Sequence, residues 1–367
     1  MFPERSSGPV CANFLSWLLV RPIFRDQWVL PLEREGFAHR LFRRYQARRM
    51  TIDLDGIAID RPIFIISLPR SGSSMLQDLL CAHPAMAYLT NMMYMFPDCF
   101  CAAEHFRKKF HLDVRGERFL ADSVEVGPGS PADPVATWAK WLGQDPYDLT
   151  YRERALADYT PAHVAAVHDD IKRVLWCFGG RDRRYFCKTP GLLPHIQLLK
   201  DLLPGARFIH LVRDARMNAN SMIKLHRLCT EQWARIRKRR PREPDHPLFI
   251  PYPRLPGLAD LIDRYGPEDL RTTAALWNEA MAFIEAARPK IPSEQFHEVR
   301  YEDLLARPHE ELGRIFRFLE LTEPDAACTD YHARLAAVGH VHHTNRYGGF
   351  EIVEEICRPT LERLGYL

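Results

Sequence analysis

Apolar residues along this chain gather into short dense runs, set between longer stretches in which they recur every three or four positions. The runs Ile63 to Ser67, Tyr185 to Cys187 and Ala206 to Val212 have strand length and are rich in β-branched and aromatic residues, the pattern of buried strands. Helical periods follow them. One begins at a small-residue turn after the first run and reaches about Ala82, where His83-Pro84 stops it. Others cover Pro194 to Leu203 and Ala215 to Leu228. Ala162 to Phe178 is helical behind Thr160-Pro161, an N-cap with proline at the first helical position. Arg271 to Ala287 reads as a helix, Phe296 to Val299 as a last strand, and Pro308 to Leu319 as an amphipathic helix. This alternation predicts a three-layer α/β fold, with a central parallel sheet flanked by helices on both faces.

The flanks are less regular. Arg34 to Met50 reads as an arginine-rich helix, and Thr51 to Asp60 alternates around Asp55-Gly56 as a short β-hairpin would. Met86 to Pro134 shows no period; its Met92, Met93 and Met95 are candidates for an adaptable apolar acceptor pocket. From residue 229 to 257 a basic stretch, Trp233 to Arg242, gives way to prolines at 244, 247, 251, 253 and 256, which suggests an insertion or lid. The expected organisation is an N-terminal helix and hairpin over residues 1–60, one main domain over 61–350, and a helical tail over 351–367.

Composition narrows the class. The chain has 367 residues, 46% of them hydrophobic, enough for a sizeable core in a single α/β unit. Lys plus Arg number 50 against 47 Asp plus Glu, a formal net charge of +3, too balanced to indicate a nucleic-acid partner. Nine cysteines without a C-x-x-C pair or a zinc-like grouping read as reduced thiols of a cytoplasmic protein. Val10 to Val20 is apolar but too short to span a bilayer. With Arg21, Arg25 and Trp28 behind it, this segment suits a peripheral membrane contact, or packing on the core or on a second subunit of a homodimer.

The chemistry begins at Pro69-Arg70-Ser71-Gly72-Ser73-Ser74. A strand that feeds a small-residue turn and then a helix N-terminus makes an anion cradle, because backbone N–H groups converge there with the positive end of the helix dipole. The triphosphate-binding loop G-x-x-x-x-G-K-[ST] is not matched, since no lysine follows Gly72 and the cation, Arg70, precedes it. A second anion signature lies downstream. Arg213 ends a buried strand, and Ser221 follows two turns into the next helix.

PRSGSSML, FIHLVRDARMNANSM and the later FHEVRYEDLLARPHEEL resemble, in this order, the sulfotransferases that use 3′-phosphoadenosine 5′-phosphosulfate (PAPS), and most of all the bacterial-type branch. The resemblance covers roughly residues 60 to 350. It implies the P-loop-like sulfotransferase fold and transfer of a sulfuryl group from PAPS to a hydroxyl, leaving a sulfate ester and the bisphosphate PAP, with no metal required. By resemblance, the amides of Ser71, Gly72, Ser73, Ser74 and Met75 and the serine hydroxyls hold the 5′-phosphosulfate. Arg70 neutralises the leaving group, and Lys188 of Cys-Lys-Thr-Pro is a second catalytic cation. Arg213 and Ser221 take the 3′-phosphate, Tyr301 contacts the adenosine, and Arg346 belongs to a closing loop.

The base is less legible. Ala85 to Phe96, where relatives carry one, contains no carboxylate. Asp133, after the turn Gly127-Pro128-Gly129-Ser130-Pro131, is the first choice and Glu125 the second, with His105 and His111 behind them. His340, His342 and His343 read as surface histidines. The apolar stretches point to a lipid, glycolipid or small-molecule acceptor, and the basic stretch to an acidic glycan. Two rival readings are a P-loop kinase or other nucleotide-binding enzyme, and a non-catalytic protein that binds anions or membranes.

Overall fold

The computed structural model of the protein describes residues 36–112, 114–118, 120, 124–239, 248–325, 328–338 and 347–367. Five parallel strands form the sheet. In chain order they are β1 (Ile63–Ile66), β2 (Met86–Ala87), β5 (Arg184–Lys188), β6 (Arg207–Val212) and β7 (Phe296–Arg300), arranged across it as β2-β5-β1-β6-β7; β3 (Gly116–Glu117) and β4 (Glu125–Val126) make a separate antiparallel hairpin.

Every residue of β1, β5 and β6 is buried, as expected of a parallel sheet covered on both faces. Alternate side chains feed two cores. Phe64, Ile66 and Phe208 face α6 (Pro161–Cys177) and α10 (Leu270–Ala287). Ile63, Ile65, Ile209 and Val299 face α2 (Ser73–Cys81), α12 (Pro308–Leu319) and α13 (Thr329–Val338). The remaining helices are α1 (Phe37–Arg49), α3 (Asn91–Met95), α4 (Phe100–Lys109), α5 (Val135–Trp141), α7 (Ile196–Leu202), α8 (Ala215–Arg239), α9 (Leu258–Tyr265), α11 (Tyr301–Ala306) and α14 (Phe350–Arg363). None of the described helices is long and apolar enough to cross a membrane.

Register places the strand ends together. Ile65 of β1 lies opposite Lys188 of β5, Ile66 opposite His210 of β6, and Val212 opposite Arg300 of β7. The turns after β1, β5, β6 and β7 therefore open along one carboxyl edge. The chain passes from β1 toward β2 on one side and later returns to β6 on the other, which makes this edge a topological switch point.

Three expectations change. Residues 51–60 form no hairpin. The Asp55-Gly56 turn exists, with the Ile57 amide donating to the Leu54 carbonyl at 3.2 Å, but Ile52, Leu54, Ile57 and Ile59 pack on the main core instead of pairing as strands. Residues 86–134 are ordered into β2, α3, α4 and the β3–β4 hairpin, elements mostly too short to declare a period. The basic stretch after residue 229 begins as helix, not as an insertion: α8 continues to Arg239, burying Cys229, Gln232 and Ile236 at helical spacing. Phe249, Tyr252 and Leu255 then return to the interior. Residues 240–242 and the N-terminal segment 10–28 lie outside the described residues.

His195, four per cent exposed before α7, is held neutral: burial, with Arg154 nearby, lowers its pKa to about 4 from 6.5. The unfolded chain binds the extra proton between these values, so stability present above pH 6.5 is lost as the pH falls toward 4, on the order of 3 kcal/mol. His195→Gln is expected to flatten the fall of the thermal midpoint between about pH 7 and 4.5. An unchanged slope would exclude His195 as its source.

Candidate active site

The loop between β1 and α2 carries backbone that only a strong local constraint maintains. Arg70 has φ +68° and Gly72 φ +89°, both left-handed, and for a non-glycine residue this costs about 1–3 kcal/mol. Side chains from the end of β6 and from the helix that follows it hold it. Arg213 Nη1 donates to the Arg70 carbonyl at 2.9 Å, and Asn218 Nδ2, fully buried on α8, donates to the Pro69 carbonyl at 3.1 Å and to Ser71 Oγ at 3.2 Å. Gly72 is required sterically, since a Cβ there would lie 2.3 Å from two ring carbons of Tyr301. The Arg213 guanidinium sits 4.6 Å from the centre of that ring.

The resulting site is one unit. Arg70 Nε donates to Ser221 Oγ at 3.2 Å, so loop and downstream clamp meet directly. Ser73 and Ser74 open α2, and their amides have no intrahelical acceptor. The Met75 amide, expected among the cradle donors, instead bonds the Gly72 carbonyl at 3.0 Å. Burial raises the Tyr301 phenol pKa, against the opposing charge of Arg213, and so keeps it neutral.

Arg213 is the electrostatic centre. Seven per cent exposed, it makes no ion pair among the described residues, and its Nε is buried without a hydrogen-bond acceptor. Its neighbour Asp214 is engaged by Arg216 at 2.6 Å, and Arg216 also reaches Glu354 of α14 at 2.9 Å. Glu302 accepts from the Asp214 amide at 3.1 Å and from the Tyr366 hydroxyl at 2.9 Å, which fastens the start of α11 to the end of β6. Trp277 supports the same turn, its indole N–H donating to the Arg213 carbonyl at 3.0 Å. A buried guanidinium without a carboxylate is costly unless an anion completes it.

Lys188 and Asp133 meet at the adjoining strand end. Lys188 Nζ lies 2.9 Å from Asp133 Oδ2, the ammonium buried and the carboxylate 41% exposed. Asp133 is carried there by its turn: the Ala132 amide donates to the Leu89 carbonyl at 2.8 Å, and Gln77 of α2 donates to the Ala132 carbonyl at 3.0 Å. Glu125 is not drawn in; it lies on β4 with its side chain 64% exposed, 3.9 Å from Arg115. His105, whose ring stacks on Tyr45 at 5.8 Å, and His111 are exposed on and just after α4. Of the methionines expected to line an acceptor pocket, Met92 and Met93 are fully buried in the core and Met95 is partly buried against Phe42, Phe96 and their neighbours. Arg346, His340, His342 and His343 lie outside the described residues.

Two site residues escaped sequence reasoning. Asn218 had no signature apart from its place one turn before Ser221. Arg118, beside β3, donates to Ser74 Oγ at 3.2 Å and adds a second guanidinium to the mouth of the cradle; nothing in its local sequence marked it.

A parallel sheet whose carboxyl edge presents a strained small-residue loop, a helix N-terminus and, among the described residues, a buried arginine lacking an acid has the features of a protein that handles a phosphate- or sulfate-bearing ligand. Residues 62–244 and 258–325 match the model described as the sulfotransferase family, and the chain belongs to that family. It is a PAPS-dependent sulfotransferase. Among similar proteins, the omega-hydroxy-beta-dihydromenaquinone-9 sulfotransferases Stf3 of Mycobacterium bovis and Mycobacterium tuberculosis are each 26% identical over 326 residues, 84% of this chain and 76% of theirs. The crystal structure of sulfotransferase STF9 from Mycobacterium avium shares the fold, with a TM-score of 0.51 at 18% identity, covering 88% of this chain and 81% of that one.

Gly72→Ala is expected to lower the thermal midpoint by a few degrees, from about 1–3 kcal/mol of backbone strain and a displaced Tyr301 ring, and to abolish PAP binding measured by calorimetry. Unimpaired PAP affinity would show that the loop does not need this conformation.

Proposed function

We propose that this enzyme sulfates a hydroxyl of an apolar, lipid-type alcohol, with the carboxyl-edge cluster as its PAPS site and Asp133 as its base. The observation that carries the nucleotide assignment is the buried Arg213, without an acid partner among the described residues and joined through the Arg70 carbonyl to the anion cradle. PAPS supplies an activated sulfuryl group and a good leaving group. Arg213 and Ser221 hold the 3′-phosphate, and Tyr301 abuts the adenosine. The Ser71–Ser74 segment cradles the 5′-phosphosulfate through amides and hydroxyls, and Arg70 neutralises charge that develops on the leaving side.

Asp133 accepts the proton of the acceptor hydroxyl as that oxygen takes the sulfuryl group. Lys188 holds this carboxylate in one orientation and supplies a compact positive charge beside it. Glu125, exposed beside Arg115, has no such support. The lipid reading rests on the relative Stf3, whose name specifies a hydroxylated menaquinone. Family membership sets the kinase reading aside.

Arg213→Ala should weaken PAP binding by about 2–5 kcal/mol, at least thirtyfold, and Arg213→Lys should not restore it because the planar fork is lost. Tighter binding of ATP than PAP by the wild type would overturn the nucleotide assignment. With labelled PAPS and a panel of prenyl, sterol and acyl alcohols beside acidic glycans, label is expected in the lipid fraction. Asp133→Asn should lower kcat by about 100-fold or more with PAP affinity retained. Unchanged turnover in Asp133→Asn would remove Asp133 as base, and label confined to glycans would overturn the lipid reading.

A further inference from the structure

Seven large apolar side chains are strongly exposed among the described residues, and four of them gather at one corner. Phe37, Leu41 and Tyr45, 76%, 50% and 36% exposed, recur every four residues along α1, and Phe110, 46% exposed, follows the end of α4. Such a concentration marks an interaction surface, whereas single exposed apolar residues are ordinary.

The inner side of α1 fixes its orientation. Phe42 is buried, with its ring centre 4.8 Å from that of Phe96 and 5.4 Å from that of Phe106. Gln46 Oε1 accepts from the Ala102 amide at 3.1 Å, and Arg43 pairs with Asp98 at 3.2 Å. The opposite side is thereby turned outward. On it Arg40, Arg44 and Arg48 run as a ridge alongside Phe37 and Leu41, with Tyr45 at the edge where its ring stacks on His105, and these three arginines make no ion pair among the described residues. The helix, FAHRLFRRYQARR, holds five arginines and no acidic residue. Lys109 of α4, exposed, extends the positive charge to Phe110, its ammonium 5.9 Å from the centre of that ring.

An apolar ridge beside an unpaired cationic one matches a surface that is negative throughout and apolar just beneath. We propose that the α1–α4 corner docks on an anionic lipid bilayer, arginines on the phosphates and Phe37, Leu41, Tyr45 and Phe110 in the acyl boundary. Four side chains bury little area, so the attachment is reversible and depends on charge. The residues of this surface are other than residues 10–28 and the basic end of α8. It also adjoins the acceptor side of the active site, because Arg107 of α4 packs against Gly129, where a Cβ would lie 2.7 Å from its Nη1, in the turn that carries Asp133. The inference does not depend on which alcohol is sulfated.

The test is co-sedimentation of the full-length protein with sucrose-loaded vesicles of phosphatidylcholine, with and without phosphatidylglycerol. Binding is expected only with phosphatidylglycerol, and it should fall sharply between about 0.1 M and 0.5 M salt. Arg44→Glu with Arg48→Glu should reduce partitioning by about tenfold or more, and Phe37→Ser with Leu41→Ser by a similar factor. Both pairs should leave the thermal midpoint and PAP affinity unchanged, as these side chains face solvent. Equal binding to pure phosphatidylcholine, no binding at all, or binding indifferent to both pairs would overturn the proposal. So would a loss produced only by Arg237→Glu with Lys238→Glu, which assigns the contact to α8, or a wild-type dimer that the Phe37 and Leu41 variant splits, which assigns the face to a second copy.

Discussion

The buried Arg213 guanidinium organises the catalytic edge of this sulfotransferase. It bonds the carbonyl of a residue held in left-handed backbone, faces the Tyr301 ring, and among the described residues has no carboxylate to neutralise it. Desolvating an unpaired charge is unfavourable, and so is the backbone of Arg70. The surrounding core over-determines both: Trp277 fixes the Arg213 carbonyl, Asn218 fixes Pro69 and Ser71, and Glu302 ties the Asp214 amide to the start of α11. Folding thus assembles an incomplete electrostatic arrangement, which the phosphate and sulfate groups of the nucleotide would complete under the proposed assignment.

The parallel sheet makes that assembly possible. Because β1, β5, β6 and β7 all run the same way, their carboxyl ends deliver Arg70, Lys188, Arg213 and Tyr301 to one edge from sites far apart in the chain. Burial on both faces keeps the strands in register, and the register sets the spacing of the cations. Asp133 arrives differently. Its turn is stitched to Leu89 and Gln77, so the placement of this carboxylate depends on the irregular segment after α2 and not on a strand end.

Much of this was legible from residue patterns. The buried strands appear within a residue or so of their expected limits, and Pro308–Leu319 matches its helical period. Such elements are set by local burial periodicity, which sequence displays directly. The Thr51–Asp60 alternation misled because alternate apolar residues also suit a chain lying across a core. The basic stretch after Trp233 misled because its charges mask the buried positions 229, 232 and 236, which continue α8. Asn218 and Arg118 act through contacts with residues 149 and 44 positions away respectively, and no local pattern reports such a pairing.

The loop after β1, and the places of Arg213 at a strand end and Ser221 on the next helix, were therefore written in the chain, because a strand, a small-residue turn and a helix start are local events governed by backbone sterics and side-chain period. Only the tertiary structure decided that Arg70 reaches Ser221, that Gly72 must admit the Tyr301 ring, that Lys188 faces Asp133, and that Glu125 stays in solvent. Those outcomes depend on strand order and side-chain packing between distant segments, a property of the whole fold.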